Sequence, residues 1–138
     1  MSDDTPSSPQ NLPFFSEAVA AGFPSPAEGE LQHKLDLNEL CITNPVATYF
    51  VRARGESMRD AGILDGDILV VDRSLEARSG SVIIASLNGE FTVKILEKSG
   101  KRVRLLPANP DFRPIDITPE SGAEYFGVVT CVIHRLRH

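Results

Sequence analysis

Apolar and polar positions divide the chain near residue 35. Beyond it, short apolar runs recur at regular intervals. Thr48-Tyr49-Phe50-Val51-Arg52-Ala53 is rich in strand formers. Ile68-Leu69-Val70-Val71 and Val82-Ile83-Ile84-Ala85 are continuous apolar runs of strand length. Asn88-Gly89 separates the latter from Glu90-Phe91-Thr92-Val93-Lys94-Ile95-Leu96, and an Asn-Gly pair between two such runs predicts a tight hairpin. Lys98-Ser99-Gly100-Lys101 predicts a second turn, leading into Arg102-Val103-Arg104-Leu105-Leu106. Ile115-Asp116-Ile117 and a long run from Tyr125 to Leu136 complete about seven strands. The pattern therefore predicts a mainly β fold: a compact, antiparallel-rich domain over residues 35–138. One helical turn is expected at Asp36-Leu37-Asn38-Glu39-Leu40, with Asp36 as cap and Glu39 three residues on, as in a capping box.

Residues 1–34 read differently, as an extended, flexible N-terminal arm. Pro6, Pro9, Pro13, Pro24 and Pro26 are half of the chain's 10 prolines, and proline blocks helix interiors and removes backbone donors. Ser, Asp, Asn and Gln dominate the first eleven positions, a composition that does not bury a core. Two apolar clusters interrupt the arm, Leu12-Pro13-Phe14-Phe15 and Ala18-Val19-Ala20-Ala21-Gly22-Phe23. Each suits docking in a groove as an extended segment.

Charge sharpens this division. Of the 19 acids and 14 bases, residues 1–40 hold seven acids and a single base, Lys34. The remainder is nearly neutral. An acidic chain lacks the concentrated Lys and Arg that phosphate neutralisation needs, so direct sequence-specific DNA binding is not expected. Cys41 and Cys131 sit in apolar runs and read as small buried hydrophobes, suiting a reducing compartment. The acidic start and the lack of a long apolar stretch predict a cytoplasmic protein with no membrane association.

The candidate chemistry is a serine and a base. Gly55-Glu56-Ser57-Met58 follows a strand and precedes a glycine-punctuated stretch. A serine there can expose its hydroxyl beside free backbone N–H groups. Arg59 occupies the last position of a Gly-x-Ser-x-Gly elbow, which argues against an α/β-hydrolase. Taken alone, Ser57 is also an ordinary turn serine. Lys94 lies on a strand whose Phe91, Val93 and Ile95 are expected in a core, with Thr92, Lys94 and Leu96 opposite; by pattern it is a solvated lysine. His33, His134 and His138 are poorly placed for a triad: His134 has no carboxylate near it in sequence. What remains is a Ser-Lys dyad, in which burial lowers the amine pKa enough for it to act as a base. No Cys/His spacing suits a metal, no cofactor is implied, and Asp65, Asp67 and Asp72 read as turn and strand-end residues. The basic hairpin Lys98, Lys101, Arg102 and Arg104 reads as a solvated turn.

The Ser57-Met58 pair, Asp65-Gly66-Asp67-Ile68-Leu69-Val70-Val71-Asp72 and Gly89-Glu90-Phe91-Thr92-Val93-Lys94 together resemble the LexA-like self-cleaving serine peptidases, and among them the UmuD branch. Phe14-Phe15-Ser16 and Gly22-Phe23-Pro24-Ser25-Pro26 resemble that branch's cleavage region. The resemblance implies a LexA-like peptidase fold, Ser57 as nucleophile, Lys94 as general base, and a cut between Ala21 and Gly22. Ser57 and Met58 backbone N–H groups are expected to hold the oxyanion. It further implies a homodimer, activation by a RecA–single-stranded DNA filament, and a trimmed product that serves a UmuC-type translesion polymerase in the SOS response. Two other readings stay open. One is a signal-peptidase-like enzyme, which would need a membrane anchor. The other is a non-catalytic dimeric β scaffold that binds a DNA polymerase.

Overall fold

The computed structural model describes residues 10–15, 18–19 and 31–137. Contacts divide the chain into two units, Met1–Thr43 and Asn44–His138.

In the first unit, β1 (Leu12–Phe15) pairs antiparallel with β2 (Leu31–Leu35), Leu12 lying opposite Leu35. This pairing was not expected from the arm's composition; its apolar Leu12–Phe15 cluster provides one strand. Helix α1 (Leu37–Cys41) begins where the pattern placed it. The Asp36 carboxylate accepts from the Asn38 N–H at 2.9 Å, which satisfies one of the unpaired donors of the first turn. Among the described residues Glu39 makes no reciprocal bond, so the capping box is half formed.

The second unit is one sheet. Its strands are β3 (Thr48–Arg52), β4 (Ile68–Asp72), β5 (Val82–Leu87), β6 (Glu90–Ser99), β7 (Arg102–Leu106), β8 (Ile115–Ile117) and β9 (Ala123–Ile133), in the spatial order β3-β4-β9-β5-β6-β7-β8. Every neighbouring pair is antiparallel. The mainly β, antiparallel expectation holds. Asn88 and Gly89 both take positive φ, 51° and 84°, so the turn that joins β5 to β6 has the twist a two-residue hairpin needs. The last strand starts two residues before the apolar pattern and stops at Ile133, not Leu136.

β4 sits between two partners and is covered on both faces. Leu69, Val70 and Val71 are wholly buried, which is why its apolar run is continuous and not alternating. Elsewhere alternation sorts side chains into two clusters. Ile84 joins Leu69, Val71, Ile63 and Met58 in one, with Val93 and Ile95 packed on it. Ile83 and Ala85, its neighbours in β5, join Leu96 and Leu105 in the other. Phe91 departs from its expected core position: it is 68% exposed and meets Phe126 edge-on at 5.0 Å between centroids. It stands at the hairpin end of β6, beyond the packed part of the sheet. Cys41 and Cys131 are half-buried, less enclosed than their apolar runs suggest.

Candidate active site

After β3 the chain leaves the sheet and forms an irregular loop from Ala53 to Asp67. Ala53 is tied to its far end through two backbone bonds, to the Asp67 carbonyl at 2.8 Å and from the Gly66 N–H at 2.9 Å. Gly55 has φ of 87°, a left-handed conformation that a side chain resists, and its N–H donates to the Asp65 carboxylate at 2.7 Å. Ser57 lies just beyond. Met58, 2% exposed, anchors the next position by inserting into the first cluster. A short 3-10 turn, Arg59–Ala61, then carries the chain back.

A distant segment clamps this loop. After β7, the Ala108 N–H donates to the Ser57 carbonyl at 2.7 Å, and the Ala108 carbonyl accepts from the Asp60 N–H at 2.7 Å. The buried Asn109 amide donates to the Glu56 carbonyl at 2.8 Å. Nothing local in the sequence announces this clamp, because its partners are about fifty residues apart and only the fold joins them.

Lys94 projects from the middle of β6, opposite Ile83 of β5. Its Nζ lies 2.9 Å from Ser57 Oγ, 2.9 Å from Thr92 Oγ1 and 3.1 Å from the Val93 carbonyl. Lys94 is only 9% exposed, and among the described residues no carboxylate pairs with it. Burial disfavours the ammonium form and lowers its pKa from the usual 10.5. The solvated lysine suggested by strand alternation is thus a buried one. Thr92, which the sequence placed merely on the same face, is a direct partner of the amine.

Ser57 and Lys94 line a cleft of about 560 Å³. Tyr49, Val51, Phe91 and Phe126 supply apolar walls, and Arg52, Arg54 and Arg73 line it, while among the described residues no acidic side chain does. The Ser57 and Met58 N–H groups donate to no other described residue. Ala21 and Gly22 lie outside the described residues.

The remaining candidates go elsewhere. His134 Nδ1 is 2.6 Å from Asp67 Oδ1, a carboxylate that sequence proximity could not reveal. Asp67 is buried, which by itself raises its pKa; hydrogen bonds from the Leu64 N–H and from His134 outweigh burial and leave it lowered. Asp72 caps the turn at Ser74. Among the described residues no group of three His, Cys, Asp or Glu side chains is placed to hold a metal ion. In the basic hairpin, Arg104 pairs with Glu97 at 2.7 Å and Arg102 with Asp116 at 3.1 Å.

The Peptidase S24-like family model matches residues 13–130, from within β1 to within β9, and includes both Ser57 and Lys94. The chain belongs to the Peptidase S24-like family. It is similar to Protein ImpA of Escherichia coli, with 47% identity over 131 residues that cover 91% of this chain and 85% of that protein. It is likewise similar to Protein MucA of Escherichia coli, with 48% identity over 87% of this chain and 82% of the relative. A LexA repressor from Azoarcus sp. is 46% identical over 83% of this chain but only 57% of its own length. As a UmuD-like member of the S24 family, the protein is a self-cleaving serine peptidase of the SOS response. No described helix is long and apolar enough to cross a membrane.

Proposed function

We propose that Ser57 and Lys94 form the catalytic dyad and that the bond cut is Ala21-Gly22. The observation that carries this reading is the 2.9 Å approach of a buried, carboxylate-free amine to the serine hydroxyl. When neutral, Lys94 can donate its two hydrogens to Thr92 Oγ1 and the Val93 carbonyl. Its lone pair then faces Ser57, whose hydroxyl donates to it. Thr92 and Val93 therefore hold the amine in the orientation of a general base.

Ser57 Oγ attacks the Ala21 carbonyl while its proton passes to Lys94 Nζ. The tetrahedral oxyanion accepts from the N–H groups of Ser57 and Met58. Collapse breaks the Ala21-Gly22 bond, and Lys94 returns the proton to the Gly22 amine. Water, deprotonated by Lys94, then attacks the acyl-enzyme, and Lys94 passes that proton to Ser57 Oγ as the ester bond breaks. Small residues at Ala20, Ala21 and Gly22 permit close backbone approach, and a cleft lined by arginines suits a segment from the acidic part of the chain.

On this reading residues 1–34 are the arm that is cut and 35–138 the peptidase domain. The protein works in the cytoplasm as a homodimer, is stimulated by a RecA–single-stranded DNA filament, and delivers its trimmed form to a UmuC-type translesion polymerase. Intact mass after incubation with that filament tests it. A fragment beginning at Gly22 is expected from the native protein and none from Ser57→Ala or Lys94→Ala. Normal cleavage by either variant removes the dyad, and a new terminus elsewhere removes the site.

A further inference from the structure

The clamp made by Ala108 and Asn109 grips two particular peptide units. The Glu56 carbonyl belongs to the same planar peptide as the Ser57 N–H, and the Ser57 carbonyl to the same peptide as the Met58 N–H. In a trans peptide the C=O and N–H point in opposite directions, and no cis bond occurs among the described residues. Asn109 Nδ2 donates to the first carbonyl at 2.8 Å, closer than the Arg59 N–H that shares it at 3.2 Å, and the Ala108 N–H donates to the second at 2.7 Å. Both carbonyls are therefore drawn toward the segment after β7, and both N–H groups turn away from it, free of other described partners.

We infer that Asn109, together with the Ala108 backbone, positions the oxyanion donors of Ser57 and Met58. The inference rests on the dyad reading above and adds to it the residues that aim the N–H pair. The Asn109 amide is itself oriented: Oδ1 accepts from the Asp111 N–H at 3.0 Å, which leaves Nδ2 as the end facing Glu56. The side chain is 6% exposed, so water does not substitute readily for it. A hydrogen bond at each carbonyl also polarises the peptide and strengthens its N–H as a donor. Asn109 touches no reacting atom; it acts through the Glu56-Ser57 peptide.

Asn109→Asp keeps the acceptor for the Asp111 N–H and loses the donor to Glu56. Asn109→Ser does the same without adding charge, because its short hydroxyl suits the local turn and falls short of Glu56. Both are compared with native protein for self-cleavage rate across alkaline pH, for thermal midpoint, and for binding of a short peptide boronic acid ending in boroalanine, whose adduct on Ser57 copies the tetrahedral oxyanion. The expected plateau rate falls about tenfold to a hundredfold, less than the roughly 10²–10³ cost of deleting an oxyanion donor outright. For Asn109→Ser the pH midpoint is expected to stay put, since it adds no charge near Lys94, and boronate affinity should fall by a factor similar to the rate. The inference is overturned if Asn109→Ser cleaves at the native rate, if the midpoint of Asn109→Ser moves, or if its boronate affinity is unchanged. It is also overturned if lost cleavage merely tracks the fraction unfolded. Ser57→Ala separates the two claims: if it cleaves, the dyad fails, whereas a dead Ser57→Ala beside a normal Asn109→Ser removes only the positioning role.

Discussion

Ser57 and Lys94 reach the same point by opposite structural means. Lys94 stands on the longest regular stretch but one of the sheet, with strands on both sides of β6. Ser57 stands on an irregular loop whose backbone groups are held by partners from three places: the Asp65–Asp67 bend, the segment after β7, and the core beneath Met58. Under the proposed dyad, the difference follows from what each group must do. A base must be dry to be neutral, and a central strand supplies burial. A nucleophile with an oxyanion site needs unpaired N–H groups, and a ladder would have consumed them. On the proposed reading the irregular backbone at Ser57 is a condition of its chemistry, and its precision comes from the clamp.

Four substitutions test this contrast, and a fifth tests the Asp67 pair, in order of effect. Ser57→Ala and Lys94→Ala should each lower the self-cleavage rate by at least about 10³-fold, with circular dichroism unchanged. In the native protein that rate should rise with pH to a midpoint below 10.5, because burial depresses the Lys94 pKa and only the neutral amine is a base. Met58→Ala should cost about 3 kcal/mol in denaturant unfolding, since it empties a buried site in the first cluster. It should also slow cleavage through the loop while leaving the pH midpoint in place. Thr92→Val keeps shape and removes one partner of the amine; a loss of about tenfold, or about 1.4 kcal/mol, is expected in the cleavage rate.

His134→Gln should have the smallest effect, about 1 kcal/mol or less, because the imidazole is 44% exposed and its pairing is screened by solvent. The sign with pH is fixed by Asp67, whose pKa is lower folded than unfolded. Its contribution is present above the unfolded value near 3.8 and is lost as pH falls through the folded value. Unfolding curves of native and His134→Gln protein should therefore converge at acid pH. A gap that persists below the folded value would assign the contribution to packing.

Much of the fold was legible because it is local. Asn88-Gly89 demands a hairpin whatever surrounds it, and the apolar run of β4 announces a strand. Where reading failed, the missing information was non-local. Phe91 fits the core alternation of β6, yet it lies where the sheet has run out of cover. His134 acquires a carboxylate because β9 pairs beside β4 and brings its end to Asp67. Asn109 reads as a turn residue, and nothing in the sequence signals its bond to Glu56 on another loop. Lys94 shows the limit most clearly: alternation gave its face, but only the tertiary arrangement decided that this face is closed over by the loop of Ser57.

The sequence alone determined the strands of the larger sheet, the tight turns and the kinship of the Ser57 and Lys94 segments, because strand periodicity and turn chemistry act between near neighbours. The tertiary structure decided the order of strands, the dryness of the lysine and the direction of the Ser57 and Met58 N–H groups. Burial and peptide orientation depend on residues far away along the chain, and folding brings these together only when the sheet is assembled.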